Sequence, residues 1–322
     1  MGKRKKIALI FATGTVLSSL KSRSIVFVDS DTDMSKWLEA IPEIGLIADI
    51  QPHFFLSESA TFGYDQTLVL SEKIQQLTAE VDGIVILMRT ESIVSQSVLL
   101  NFLNQNLAIP VILTGAVVSP QALTEGVLSE VFKKSVALSL KSNVINAIQV
   151  ATRDFHGFGI MYGNRLIEPV RVRRENIESL NIFAAADGKY AGRVEFGISL
   201  NQGKTTSRQP KHYQAFSRRV AILDSSLLTV DDLKKVTAEA VIIKIRENER
   251  LADDIHQAIR HLKQPVMLYN FWYVLEHSGL VTVARMTEAS LLAKVMWLLA
   301  LRPSKKDFER TITENVIGEI LS

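Results

Sequence analysis

Short apolar runs alternate with amphipathic segments along most of the chain. Several runs lack the alternation of half-exposed strands, which is typical of parallel strands covered on both faces. The predicted strands are Ile7–Ala12, Ile25–Val28, Gly83–Leu87, Val111–Thr114, Gly159–Tyr162, Val220–Leu223, Ala240–Ile245 and Val266–Tyr269. Helical spacing predicts helices over Asp65–Thr78, Ser95–Asn106, Leu138–Thr152, Val230–Val236 and Ala252–Leu262. This order of elements predicts an α/β fold with a doubly wound sheet.

The composition changes between about Asn181 and Arg218, where glycines stand among polar and basic residues. We interpret residues 191–217 as an interdomain connection, because a new apolar strand pattern begins directly after them. An N-terminal α/β domain of residues 1–190 would then precede a smaller C-terminal α/β domain of residues 218–322.

Composition and charge narrow the classes of function. The 322 residues are 47% hydrophobic and 22% charged, which is typical of globular proteins. The chain has no cysteine, which excludes thiol catalysis, thiolate metal sites and disulfides. The net charge of +3 is too small to imply a nucleic-acid or membrane partner. The histidines show no metal-ligand spacing, so we expect no metal site.

Two segments need a check for membrane targeting. A basic stretch precedes the apolar run from Ile7 to Leu20, as in a signal peptide, but polar residues interrupt that run and no clear cleavage site follows. The apolar stretch from Leu291 to Leu301 is too short to span a bilayer and carries Lys294. We therefore expect a cytoplasmic protein.

Hydroxyl side chains cluster after two predicted strands, where open α/β sheets bind their ligands. The first cluster is Thr13-Gly14-Thr15 and the second is Arg89-Thr90-Glu91-Ser92. A hydroxyl on a tight turn beside a second hydroxyl and a carboxylate can act as a nucleophile. The competing interpretation is that Thr90 or Ser92 caps the following helix, and the residues alone favour it.

Six segments occur in the same order as in one known enzyme family. They read IALIFATGTV from Ile7, VDGIVILMRTES from Val81, IPVILTGA from Ile109, NVINAI from Asn143, YGNRL from Tyr162 and MTEASLLAKVMWLL from Met286. Through them the chain resembles the bacterial-type L-asparaginase family over nearly its whole length. The resemblance implies a two-domain asparaginase-like fold, a small amino-acid-like ligand such as asparagine, no cofactor, and a homodimer or homotetramer.

The resemblance also implies the site residues. In the family a threonine after the first strand attacks the amide carbon, and a second threonine with an aspartate and a lysine forms the other catalytic cluster. That second cluster corresponds here to Thr90, Glu91 and Arg174. The first nucleophile is Thr13 if one glycine of the T-G-G-T motif is deleted, whereas without a deletion Ala12 takes its place. The residues expected to bind substrate are Thr15, Ser59, Glu58, Arg89 and Asn248.

Several of these positions depart from the family pattern. A guanidinium at Arg174 stays protonated and cannot act as a general base as a lysine amine can. Glu91 is one methylene longer than the family's aspartate, and a displacement of about 1 Å can cost roughly a hundredfold in rate. We therefore expect an asparaginase-like amidohydrolase with altered or reduced turnover. The alternative is a catalytically inactive homologue that binds a small ligand or a protein partner.

Overall fold

A computed structural model gives the structure of the chain. It describes residues 4–12, 15–18, 25–28, 31–55, 62–115, 130–175, 182–201, 208–246, 251–273 and 279–322. The chain divides into two compact units, Met1–Gln214 and Ala215–Ser322. Across these described ranges, every helix is too short or too polar to cross a bilayer.

The first unit contains fourteen of the described strands and five of the described helices. Its strands are β1 Lys6–Phe11, β2 Thr15–Ser18, β3 Ile25–Val28, β4 Asp49–Phe54, β5 Gly83–Leu87, β6 Asn104–Gln105, β7 Pro110–Thr114, β8 Gly157–Tyr162, β9 Arg165–Ile167, β10 Val172–Arg174, β11 Phe183–Ala185, β12 Gly192–Val194, β13 Ile198–Leu200 and β14 Lys211–His212. Its helices are α1 Asp31–Ala40, α2 Glu43–Ile47, α3 Tyr64–Leu77, α4 Thr90–Leu103 and α5 Glu130–Ala151.

An eight-stranded sheet with the order β13-β12-β9-β8-β7-β5-β1-β4 organises the first unit. The five strands from β8 to β4 pair in parallel, and the pairs from β8 to β13 are antiparallel. Successive residues of β1 enter opposite cores. Leu9 packs with residues of α1, α2 and α5, whereas Ile10 packs with residues of α3 and α4. Both faces are therefore covered, which confirms the predicted α/β class and explains the missing alternation.

The second unit has a four-stranded parallel sheet in the order β15-β16-β17-β18. Its core joins residues of that sheet to residues of the helices beside it, such as Ile243 and Ile259. The strands are β15 Val220–Asp224, β16 Ala240–Lys244, β17 Val266–Tyr269 and β18 Val281–Val283, and the helices are α6 Val230–Lys235, α7 Asp253–Arg260, α8 Glu288–Ala300 and α9 Lys305–Ile312.

A charged pair lies inside this second unit. Lys294 of α8 and Glu319 are both 0% exposed, and their side chains are 2.7 Å apart. Lys294 Nζ also donates to the carbonyls of Ile312 and Glu314. The Glu319 carboxylate accepts from the backbone amide of Val316. Burial lowers the pKa of Lys294, and the charge of Glu319 acts in the opposite direction. The ion pair and these hydrogen bonds thus hold the segment that contains Ile312, Glu314 and Glu319 against α8.

Two sequence-based expectations differ from the structure. The helix expected from Ser95 begins at Thr90, because polar residues of its first turns obscure the apolar period. The expected connection, residues 191–217, contains β12 and β13, which pair with each other and extend the large sheet beyond β9. The glycines that suggested a linker include Gly192, where an added Cβ would lie 2.6 Å from the Ser199 carbonyl oxygen, so this glycine permits close strand pairing.

The glycine that follows β7 is required by a close backbone approach. A Cβ added to Gly115 would lie 2.0 Å from the Met88 carbonyl oxygen, which follows β5. Gly115→Ala should therefore lower the free energy of unfolding by about 1–3 kcal/mol, because backbone must move to admit the methyl group. Urea unfolding measures the change. Gly45→Ala is the control, since a Cβ there meets no atom within 4 Å, and equal midpoints for the two variants would contradict the steric argument.

Candidate active site

The carboxyl ends of the central parallel strands meet at one edge of the large sheet. Phe11 of β1 pairs with Leu87 of β5, and Leu87 pairs with Thr114 of β7. Beyond these pairs, the Ala12 amide donates to the Leu87 carbonyl at 2.9 Å, and the Met88 amide donates to the Thr114 carbonyl at 2.9 Å. The segments that leave β1 and β5 therefore start side by side, which is where ligands bind in open parallel sheets.

Thr90 is the first residue of α4, and its side chain is buried at this edge. Arg89 is the N-cap, with φ −62° and ψ 138°, and no side chain caps the helix. Thr90 is 1% exposed, and its Oγ1 has no hydrogen-bond partner among the described residues. The capping interpretation of Thr90 and Ser92 is therefore wrong, because both residues lie inside the helix. A buried hydroxyl without a structural partner is unusual in a folded protein.

Glu91 and Arg174 are exposed charged residues of this region. Arg174 ends β10, a strand that contacts α4, and it pairs with Phe183 of β11. Both charges act on the phenol of Tyr162. Burial is the largest cause that raises the pKa of Tyr162, the Asn143 side chain and the charge of Arg174 lower it, and the charge of Glu91 raises it. The carboxylate of Glu91 and the guanidinium of Arg174 are thus both close enough to Tyr162 to change the pKa of its phenol.

Arg89 and Thr15 are the remaining expected site residues of which the structure gives a position. Arg89 is half-buried directly before α4. Thr15 begins β2, where it pairs with Val28 of β3. Four further expected residues lie outside the described part of the chain, and these are Thr13, Glu58, Ser59 and Asn248.

Ala12 is the alternative to Thr13 at the nucleophile position. It is 0% exposed, packs in the apolar cluster that contains Met88 and Ile93, and continues the backbone ladder of β1 to Leu87. Its methyl group offers no nucleophile, so a threonine nucleophile after β1 has to come from Thr13 or Thr15.

Two asparagines on α5 hold the loops beside this edge. The Asn143 side chain donates to the Gly115 carbonyl at 3.0 Å and accepts from the Gly163 amide at 2.9 Å. The Asn146 side chain donates to the Gly163 carbonyl at 2.9 Å. They lie three residues apart and therefore share one face of the helix. The spacing of the two asparagines in NVINAI is a sequence signal for this role. The pattern of strand ends alone did not predict it.

Tyr162 is a third residue of this edge that the sequence did not assign to the candidate site. It ends β8, two strands away from β5 in the sheet, and belongs to the same apolar cluster as Met88 and Ile93. Its ring meets that of Phe183 edge-on, with the centroids 5.2 Å apart. A polar-tipped aromatic at the end of an otherwise apolar strand was the signal that could have found it.

The electrostatics of this edge favour a ligand with a negatively charged or carbonyl oxygen. Among the expected site residues that the structure describes, Arg89 and Arg174 carry positive charges and Glu91 carries a negative charge. The first turn of α4 adds the positive end of a helix dipole and backbone amides that lack partners within the helix. Within the described ranges, no three histidine or acidic side chains come together to hold a metal ion. The described side chains of this edge supply hydroxyl groups, cations and the carboxylate of Glu91.

Comparisons with known proteins give the family and support the fold. A family model described as asparaginase, N-terminal, matches residues 6–206. The thermostable L-asparaginase from Thermococcus kodakarensis is 17% identical, with a TM-score of 0.78 over 98% of this chain and 99% of that one. L-asparaginase I from Vibrio cholerae O1 biovar eltor str. N16961 is 18% identical, with a TM-score of 0.79 over 99% of this chain and 100% of that one. No curated protein sequence matches the chain.

Proposed function

Because the chain belongs to the asparaginase family, we propose that it is an amidohydrolase that cleaves the side-chain amide of a small amino acid such as L-asparagine. The observation that carries the proposal is the Thr90 hydroxyl, which is buried at the carboxyl edge of the parallel sheet with no partner in the described part of the chain. Retaining such a hydroxyl costs stability, so a role toward a ligand is its simplest explanation.

In the proposed reaction the Thr13 hydroxyl oxygen bonds to the amide carbon, and its proton leaves with the departing nitrogen as ammonia. The carbon–nitrogen bond breaks, and an ester between Thr13 and the acyl group forms. Water then cleaves that ester, which gives the product carboxylate and restores the Thr13 hydroxyl. Thr90 serves as the second hydroxyl, with Glu91 and Arg174 in support. Thr15, Ser59, Glu58, Arg89 and Asn248 are proposed to bind the substrate.

We propose that turnover is reduced because Arg174 stands at the position where the family has a catalytic lysine. The guanidinium of Arg174 stays protonated throughout the physiological pH range, so it can attract an oxygen but cannot accept a proton. Glu91 keeps the negative charge of the family's aspartate on a longer side chain. The site therefore retains its charge pattern while its proton transfer is weakened.

Ammonia release tests the proposal directly. We would supply L-asparagine, L-glutamine and aspartyl dipeptides to the wild type, Thr13→Ala and Thr90→Ala, each at matched concentrations of folded protein. Release by the wild type on at least one substrate, with loss in both variants, is the expected result. The same background in all three proteins would show that these hydroxyls hydrolyse none of these amides.

Arg174→Lys should raise the rate of ammonia release, because a lysine amine can share a proton where a guanidinium cannot. The increase should be measurable and reach at most about 10²-fold, the lower end of what general acid–base catalysis contributes. Arg173→Lys is the control, since Arg173 is an exposed neighbour on β10 that pairs with Glu175 at 3.1 Å. If Arg174→Lys released ammonia at the same rate as the control, the cause of the reduced turnover would lie elsewhere. The turn after β1 would then be the first position to examine.

The alternative function is a homologue without turnover that binds a small ligand or a protein partner. The permanently charged Arg174 near Tyr162 favours binding of an anionic oxygen over proton transfer. L-Aspartate binding by a protein that releases no ammonia from any substrate, in the Arg174→Lys form as well, would support this alternative. Assembly into a homodimer or homotetramer and a cytoplasmic location remain further parts of the proposal, and sedimentation would measure the assembly.

A further inference from the structure

Tyr162 carries a second buried hydroxyl without a structural partner at the proposed site. The residue is 1% exposed, and in the described part of the chain no atom has hydrogen-bond geometry to its Oη. The Asn143 side chain lowers the pKa of the phenol, while its own amide group hydrogen-bonds to the backbone of Gly115 and Gly163. A buried hydroxyl in this state destabilises the folded protein.

The position of Tyr162 links it to Thr90. Tyr162 shares its apolar cluster with Ile93, which lies one turn into α4, and the charge of Glu91 acts on its phenol. Two hydroxyls that lack partners therefore belong to the same side of the sheet, at the start of one helix and the end of one strand. Neither hydroxyl has a hydrogen-bond partner in the described part of the chain, so each is a candidate contact for a polar ligand group at this edge.

We infer that Tyr162 is a substrate-contacting residue of the amidohydrolase site, and that its phenol donates a hydrogen bond to an oxygen of the bound amide or of the carboxylate product. This inference rests on the proposed function and adds a donor to it. Burial raises the pKa of Tyr162, so the phenol keeps its proton and acts as a neutral donor, not as a base. Its edge-on contact with Phe183 fixes the ring in place.

The inference names a class of substrate. A neutral donor near the cation of Arg174 suits an oxygen that carries negative charge or acquires it during the reaction, such as a carboxylate or the carbonyl oxygen of an amide under attack. A substrate with only a nitrogen or an apolar group at this place would leave the Tyr162 hydroxyl buried and unpaired. Small amides with an acidic product fit this requirement.

Tyr162→Phe tests the inference because it removes the hydroxyl alone and keeps the ring contact with Phe183. We expect kcat/KM for ammonia release to fall about 10- to 100-fold, in the range below the loss of a full oxyanion donor, while the thermal midpoint stays equal or rises. The control is Tyr269→Phe, whose hydroxyl donates to the Met286 carbonyl at 2.8 Å in the second unit. That variant should lose stability and keep its activity per folded molecule.

The outcomes separate this inference from the proposed function. Unchanged kcat/KM in Tyr162→Phe would overturn the inference and leave the amidohydrolase proposal standing. If the wild type releases no ammonia, the proposed function fails, and calorimetric binding of L-aspartate decides the inference. A Kd raised about tenfold in Tyr162→Phe supports it and an equal Kd overturns it. A wild type that neither releases ammonia nor binds L-aspartate overturns both.

Discussion

Thr90→Val should abolish most ammonia release and at the same time stabilise the fold. Valine keeps the shape of threonine and replaces the buried hydroxyl, which has no partner among the described residues. Removing that hydroxyl relieves a desolvation cost of about 1–3 kcal/mol. It also removes a group of the catalytic cluster, which should lower the rate about 10²- to 10⁴-fold. Ammonia assays and urea unfolding of the same preparations measure the two effects.

Thr67→Val is the matched control for this prediction. Thr67 is also a wholly buried threonine, but its hydroxyl bonds to the Gln96 side chain and to the Gly63 carbonyl. Its removal leaves Gln96 without that partner, so the control should lose stability and keep its activity per folded molecule. If Thr90→Val instead lost stability as the control does, the hydroxyl would have a structural partner and the argument for a ligand would fail.

Lys294→Met should destabilise the second unit by about 3–5 kcal/mol, because it leaves the carboxylate of Glu319 buried without its cation. The two side chains are 0% exposed and 2.7 Å apart. The variant also loses the bonds from Lys294 to the carbonyls of Ile312 and Glu314. Thermal unfolding followed by circular dichroism should show a large fall in the midpoint of the transition.

The double variant Lys294→Met with Glu319→Leu distinguishes an unpaired charge from a loss of packing. It should recover part of the lost stability, because both charges are then replaced by apolar side chains of similar size. Recovery should be incomplete, since the backbone amides of Val316 and Ile317 lose their acceptor. A single variant as stable as the wild type would show that Glu319 finds another partner.

The core of the fold could be predicted from the sequence because buried parallel strands leave a strong local signal. β5 and β17 have the bounds that their apolar runs predict. The short edge strands could not be predicted in this way. β12 and β13 contain polar residues such as Arg193 and Ser199, and β12 joins the large sheet by pairing with β9, which is distant in sequence. The first helix, Asp31–Ala40, is similarly weak in its pattern because only a few of its residues, Trp37 among them, enter the core.

The candidate site could be predicted in part. The rule that ligands bind at strand ends pointed to Thr90 and Glu91, and the resemblance added Arg174, which shares an electrostatic neighbourhood with Glu91. The sequence could not show that Thr90 lies inside α4 instead of capping it, because the boundary of a helix depends on the backbone of Arg89. It also could not bring Tyr162 to α4, since that proximity arises from the order of β8, β7 and β5 in the sheet.

The decisive measurement is a crystal structure of the protein with bound L-aspartate. We expect an oxygen of the ligand to lie within hydrogen-bond distance of both Thr90 Oγ1 and Tyr162 Oη, with its charge facing Arg174. Bound L-aspartate that contacts neither hydroxyl would contradict this expectation.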